Sequence, residues 1–247
     1  MANPTTDAPV NTAKLDHQGR VLGLFGKVWD PGTVKTRLAK TLGAEKAARI
    51  YLQLLVLHLM RFANTSVKRI VAYSPATNES CTRFEDLTQS LKPQPDWDFV
   101  PQIESDLGTR MSSFFEQQFD VGAKGIVVIG SDAPRLTAEL VDQAFESLTN
   151  HDVVFGPSTD GGYYLVGLSV MAKGIFQDVD WSTEKVLEQS LAKCESAGLS
   201  VALLPALTDI DHEEDLLSEI NLLKPATDVC VQQFLQDASA ILQGTES

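Results

Sequence analysis

Short apolar runs alternate with segments of helical length along the whole chain, and no other feature constrains its fold as much. Residues 21–25 (VLGLF), 68–73 (KRIVAY) and 125–129 (GIVVI) read as buried strands. Residues 97–103, 152–155, 163–168 and 201–204 complete the set, the first of them weakened by Pro101. Between the strands, the spacing predicts helices over 36–63, 112–119, 137–148, 183–197, 212–223 and 229–242. Thr137 stands where an N-cap belongs. Strands separated by helices of about 10–15 residues imply βαβ crossovers, and so an α/β fold on a mostly parallel sheet.

No repeat or low-complexity linker divides the 247 residues. The expectation is one α/β domain over residues 21–247, behind a flexible polar tail of residues 1–20 with no apolar core of a signal peptide. The 33 acidic and 20 basic residues leave a formal charge of −13. Binding along a nucleic-acid backbone or an anionic membrane needs a Lys/Arg surface, so neither partner is expected. The most apolar stretch, residues 51–60, is interrupted by Gln53 and His58, and no membrane span is expected. Cys81, Cys194 and Cys230 are odd in number and widely spaced. They suit unpaired thiols in a reducing cytoplasm better than a disulfide framework or a zinc site. The histidines, His17, His58, His151 and His212, form no paired ligand motif.

Ligands of an open α/β sheet bind outside the carboxyl ends of its strands. Four segments there carry unusual residues. The first is Lys27–Arg37, KVWDPGTVKTR, inside a stretch where six basic residues (Lys27, Lys35, Arg37, Lys40, Lys46, Arg49) meet only Asp30 and Glu45. Pro31-Gly32 gives a tight turn, and Lys35-Thr36-Arg37 at a helix start would offer side-chain and backbone donors to phosphate oxygens. A solvated basic helix face explains the same residues. The frame G-x-x-x-x-G-K-[ST] is absent, so this is no Walker A loop.

The second segment, Gly130-Ser131-Asp132-Ala133-Pro134, places a carboxylate on the sheet edge. Asp132 could bind Mg²⁺ or Mn²⁺, which favour oxygen ligands, or merely cap the turn. The third runs from Gly156 to Tyr164, GPSTDGGYY. Its glycines allow close backbone approach to a ligand, its tyrosines offer stacking faces, and its Asp160-Gly161 pair equally fits a hairpin turn. The fourth, Asp209-Ile210-Asp211, heads an acidic run in which Asp211 could cap the next helix with Glu214 as partner. Together, a basic loop and three separated Asp loops suit a metal–diphosphate ligand.

The ordered pattern Lys27…Gly32-x-Val34-Lys35-Thr36-Arg37-Leu38, Asp106-Leu107-Gly108-x-Arg110-Met111, Gly130-Ser131-Asp132-x-Pro134, Gly156-Pro157-x-x-Asp160-Gly161-Gly162-Tyr163-Tyr164, Trp181-Ser182-Thr183 and Asp209-Ile210-Asp211 resembles a bacterial transferase family. It is the radical-SAM/selenodomain-associated type, often labelled arsenosugar-biosynthesis-type glycosyltransferase. The likeness runs over residues 21–216. It implies a three-layer αβα GT-A (nucleotide-diphospho-sugar transferase) fold and kinship with molybdenum-cofactor and phospholactate guanylyltransferases.

The resemblance further implies that Lys27, Gly32, Lys35, Thr36, Arg37, Arg110, Gly161, Gly162 and Tyr163 meet the nucleotide diphosphate. Asp132 would replace the metal-binding Asp of D-x-D, with Asp209 and Asp211 as further ligands of Mg²⁺ or Mn²⁺. Since Ser131-Asp132-Ala133-Pro134 stands where D-x-D is usual, Asp132 must be supplemented from elsewhere. Asp30 also introduces a negative charge beside the phosphate site. Asp160 is the candidate base if transfer inverts configuration.

Three functions compete. The first moves a sugar from a nucleotide-diphosphate donor to a small-molecule acceptor. The second joins an NTP to a small phosphorylated acceptor and releases pyrophosphate. The third is a sensor that binds nucleotide sugars without turnover. A nucleotidyltransferase of this superfamily would open with G-G-x-S/G-x-R after the first strand. Here the chain has G-K-V-W-D-P-G, which favours sugar transfer. The oligomeric state, sugar, base and acceptor stay open.

Overall fold

The computed structural model describes residues 19–245. The expected tail and His17 therefore lie outside the described residues, except that Arg20 already opens the first strand.

Seven strands form one sheet in the order β3-β2-β1-β4-β6-β5-β7. They are β1 Arg20–Lys27, β2 Lys68–Ser74, β3 Asp98–Pro101, β4 Gly125–Ile129, β5 Val153–Pro157, β6 Tyr163–Leu168 and β7 Val201–Leu203. Every strand except β6 points the same way, since β6 is antiparallel to both β4 and β5. Pro101 is accommodated because β3 is an edge strand and Pro101 ends it.

Successive side chains enter opposite faces of the sheet. Leu22, Leu24, Val127 and Ile129 pack on one side, against Tyr51, Leu55 and Leu59 of α2 (Ala44–Arg61) and Val141 and Phe145 of α5 (Ala138–Ser147). Val21, Ile126 and Val128 pack on the other, against Met111, Phe114 and Phe115 of α4 (Leu107–Asp120) and Cys194 of α6 (Val186–Ser196). This is the three-layer fold expected. A third apolar cluster joins Ile50, Leu54 and Leu57 of α2 to α7 (Glu213–Leu223) and α8 (Val229–Gln243). Buried on two sides, α2 carries apolar residues around most of its circumference, which is why its sequence is the greasiest in the chain.

The helix expected over 36–63 is interrupted. A single turn, α1 (Ala39–Leu42), precedes α2, and Gly43 at φ 84° and ψ 156° separates them. That backbone conformation suits glycine and cannot continue a helix. Residues 74–96 carried no assignment, yet α3 (Asn78–Ser90) lies there, with the Thr77 hydroxyl accepting the Ser80 N–H at 3.1 Å. Only Ser80, Phe84 and Thr88 of α3 are buried, so no apolar period marks it. Thr137 caps α5 as its position suggested, accepting the Leu140 N–H at 3.3 Å.

Asp211 does not cap α7. The capping residue is His212, and Asp215 rather than Glu214 reaches back to accept the His212 N–H at 2.7 Å. The Asp211 carboxylate is thereby left to other partners. Among the described residues, no helix is long and apolar enough to cross a membrane, and the three cysteines form no disulfide.

Candidate functional site

Because all strands but β6 run in parallel, the loops after β1, β4, β5 and β7 emerge on one edge, where β6 also begins. They enclose a cleft of about 670 Å³. Backbone hydrogen bonds stitch its floor together. Ile210 N–H donates to the Asp132 carbonyl at 2.9 Å, Leu207 N–H to the Pro157 carbonyl at 3.0 Å, and Thr159 N–H to the Leu207 carbonyl at 2.9 Å. The loops bearing Asp132, Asp160 and Asp209-Asp211 are thus locked to one another.

The basic loop after β1 closes this acidic floor by ion pairing. The Lys35 ammonium lies 2.8 Å from Asp132 Oδ2 and 3.4 Å from Asp211 Oδ1, with only 3% of its side chain exposed. Arg37 Nη1 meets the other Asp211 oxygen at 2.8 Å. Lys27 Nζ donates to the Thr33 carbonyl at 2.8 Å and holds the loop's turn. These three, with Thr36, line the cleft. The basic run is therefore not one surface: Lys40, Lys46 and Arg49 do not line the cleft, and Lys46 donates to the Leu242 carbonyl. Nor does Lys35-Thr36-Arg37 open a long helix, since only the single turn of α1 follows. Side chains, not a helix terminus, supply the positive charge.

Asp30 raises no obstacle to an anion. It does not line the cleft and is paired with Arg83 at 2.6 Å, whose guanidinium in turn covers the Trp29 ring at 4.9 Å.

Asp209 is the most perturbed of the acidic groups. Burial, with repulsion from Asp132, Asp160 and Asp211 only partly offset by Lys35, pushes its carboxyl from 3.8 up to about 7. Its Oδ1 is buried with no hydrogen-bond partner. An orphaned carboxylate oxygen facing two further carboxylates is a donor set that fits a hard divalent cation. Among the described residues, however, no three acidic, His or Cys side chains stand as a ready cage. A cation here would need oxygen ligands from the bound substrate.

Asp160 lines the same cleft. Its Oδ1 accepts from the Ser158 hydroxyl at 2.5 Å and the Gly162 N–H at 3.0 Å, which fixes the carboxylate within the β5–β6 hairpin. Gly162, Tyr163 and Arg110 also line the cleft, whereas Gly32 and Gly161 do not. Gly32, at φ 81°, forms the exposed turn of the basic loop. Gly161, at φ 89°, packs against the Glu184 backbone so closely that a Cβ would collide with it, and its carbonyl accepts the Leu187 N–H at 2.9 Å.

The tyrosine hydroxyls are spent inside the fold. Tyr163 Oη is buried, its ring edge-on to Trp181 at 6.4 Å, and Tyr164 Oη donates to the Pro205 carbonyl at 3.0 Å.

Sequence reasoning missed several lining residues, among them Tyr51, Gln102, Trp181 and Thr183. Tyr51 lay hidden in the apolar run of α2, where its hydroxyl accepts the Lys27 N–H at 2.8 Å. Trp181 and Thr183 stood in the ordered pattern quoted above but carry no charge to single them out.

No curated protein matches the chain by sequence. Among solved structures, a Desulfovibrio desulfuricans protein assigned as a nucleotide-diphospho-sugar transferase is 28% identical, with a TM-score of 0.82 over 92% of this chain and 97% of its own. A cytidylyltransferase from Leptospira borgpetersenii is 10% identical, with a TM-score of 0.53 over 93% of this chain and 98% of its own. A 4-diphosphocytidyl-2C-methyl-D-erythritol synthase from Anaerococcus prevotii is 9% identical, with a TM-score of 0.52 over 83% and 99%. At such identities the last two show a shared fold. The fold is that of the nucleotide-diphospho-sugar transferase-like proteins, as the sequence pattern implied. Residues 59–183, which carry Asp132 and Asp160, match the family described as "uncharacterized protein conserved in bacteria (DUF2064)", and with just over half of its residues inside the match the chain belongs to that family.

Proposed function

We propose that this protein is a divalent-metal-assisted transferase that moves a sugar from a nucleotide-diphosphate donor to a small-molecule acceptor in the cytoplasm. One observation carries the reading. A basic loop bearing Lys35 and Arg37 is ion-paired to Asp132 and Asp211 at the mouth of the same cleft that holds Asp160 and the orphaned Asp209 oxygen. The 28% identity with the Desulfovibrio protein over nearly the whole chain supports it. The ordered motifs support placement with the arsenosugar-biosynthesis-type glycosyltransferases.

In this reading Lys27, Lys35 and Arg37 bind the phosphate oxygens of the donor. Asp132, Asp209 and Asp211 would hold Mg²⁺ or Mn²⁺. That ion would neutralise the charge developing on the leaving diphosphate. Arg110, on the opposite wall, is kept in place by donating Nε to the Ser105 carbonyl at 2.6 Å, and supplies a further cationic group. Asp160, its orientation set by Ser158 and Gly162, takes the proton of the acceptor hydroxyl if transfer inverts the sugar carbon. Trp181 and Tyr163 shape the apolar wall beside it. The three unpaired cysteines accord with a reducing compartment.

Nucleotidyl transfer is the second reading, because the cytidylyltransferases share the fold. A thermal-shift panel separates the two: UDP-, GDP-, CDP- and ADP-sugars and the four NTPs, each with and without Mn²⁺. A ligand at 100 times its Kd adds about 2.7 kcal/mol, or roughly 5–10 °C at this size. Stabilisation by a nucleotide sugar supports glycosyl transfer, and stabilisation by an NTP alone supports nucleotidyl transfer.

A further inference from the structure

We infer that Lys35 is an internal stand-in for the cation, so that the metal enters this site only together with a nucleotide diphosphate. The inference rests on the metal-assisted reading above. Its starting point is geometric. The Lys35 ammonium is buried at 3% exposure between Asp132 Oδ2 at 2.8 Å and Asp211 Oδ1 at 3.4 Å. These are oxygens that a hard divalent ion would otherwise take. The backbone at Lys35 has φ 47°, in the left-handed region that a lysine occupies only at a cost, and its carbonyl accepts the Ala39 N–H at 2.8 Å. The loop is thus set so that this one side chain reaches into the carboxylates.

Two consequences follow from charge alone. A divalent ion arriving by itself must displace a buried ammonium from its carboxylates and then sit beside it. Leaving that ammonium buried and unpaired is expensive, so the ion is rejected. An ion arriving with a diphosphate brings the ammonium a replacement anion. Lys35 then turns from carboxylate to phosphate, and Asp132 and Asp211 become free for the cation. Cation and nucleotide therefore bind with positive coupling, and the coupling runs through Lys35. The absence of a ready three-ligand cage among the described residues fits the same picture.

The test is Mn²⁺ titration followed by electron paramagnetic resonance, on wild type and Lys35→Met, without nucleotide and with each of UDP, GDP, CDP and ADP. Lys35→Gly, which suits the backbone at φ 47°, serves as a second variant. Wild type should bind Mn²⁺ weakly alone and about tenfold or more tighter with the matching diphosphate. Both variants should bind Mn²⁺ alone about tenfold tighter than wild type and gain little from the diphosphate. Variants no tighter than wild type for Mn²⁺ alone, while wild type still binds Mn²⁺ with nucleotide, overturn the role of Lys35 and leave the metal site standing. Failure of every protein to bind Mn²⁺ under any condition overturns both the inference and the metal-assisted reading.

Discussion

Lys35, on the loop after the first strand, forms a 2.8 Å ion pair with Asp132, on the loop after the fourth. The pair joins the two loops across the sheet edge where a phosphate and a cation would meet. Removing the basic side should expose how much of nucleotide affinity is electrostatic. Lys35→Ala combined with Arg37→Ala is expected to weaken nucleotide-diphosphate binding at least tenfold, at about 1.4 kcal/mol per decade, and to flatten its dependence on ionic strength. Calorimetric titrations at two salt concentrations check this. Equal affinity and equal salt slopes in the two proteins would reduce the cluster to a surface feature.

The hairpin that carries Asp160 depends on Gly161. Its φ of 89° and the Glu184 backbone against its α-carbon leave no room for a side chain. Gly161→Ala is expected to destabilise the fold by about 2–4 kcal/mol. The check is a denaturant or thermal melt, and an unchanged midpoint would contradict the packing described.

A pH effect is expected from the opposite side of the sheet. His58 in α2 is fully buried, stacked on Phe62 at 5.8 Å, and neither ring nitrogen has a hydrogen-bond partner. Burial, followed by the nearby Arg61 charge, lowers its pKa from 6.5 to about 3. The unfolded chain takes up this proton below about pH 6.5 and the folded chain only near 3, so stability is lost as pH falls through that window. His58→Leu should therefore remove on the order of 2–3 kcal/mol of the stability difference between pH 7 and 4.5. Urea melts at the two pH values measure it, and parallel losses in wild type and variant would show that His58 does not titrate on unfolding.

Much of this architecture was legible in the residues because burial imposes period. GIVVI became β4 over the expected span, Gly125–Ile129, and Thr137 caps α5, since a fully buried strand and a hydroxyl cap each leave a local signature. Helix α3 left none, with only three of its residues buried. The chemistry-bearing loops were found by type and order of residues. Their convergence was not: that Lys35 meets Asp132 and Asp211, or that Asp30 is withdrawn by Arg83, depends on which strand edges the topology brings together. Asp211 shows the limit most clearly, because whether it or His212 caps α7 decides whether its carboxylate faces Arg37.

The central claim is that Asp132 and its neighbours hold a cation on a nucleotide diphosphate. Calorimetric titration of wild type and Asp132→Asn with the nucleotide selected by the thermal-shift panel, with and without Mn²⁺, tests it most directly, given a matched melt to show that the variant folds. The account predicts Mn²⁺-enhanced affinity in wild type and none of that enhancement in Asp132→Asn. The same Mn²⁺-dependent affinity in both proteins would contradict it.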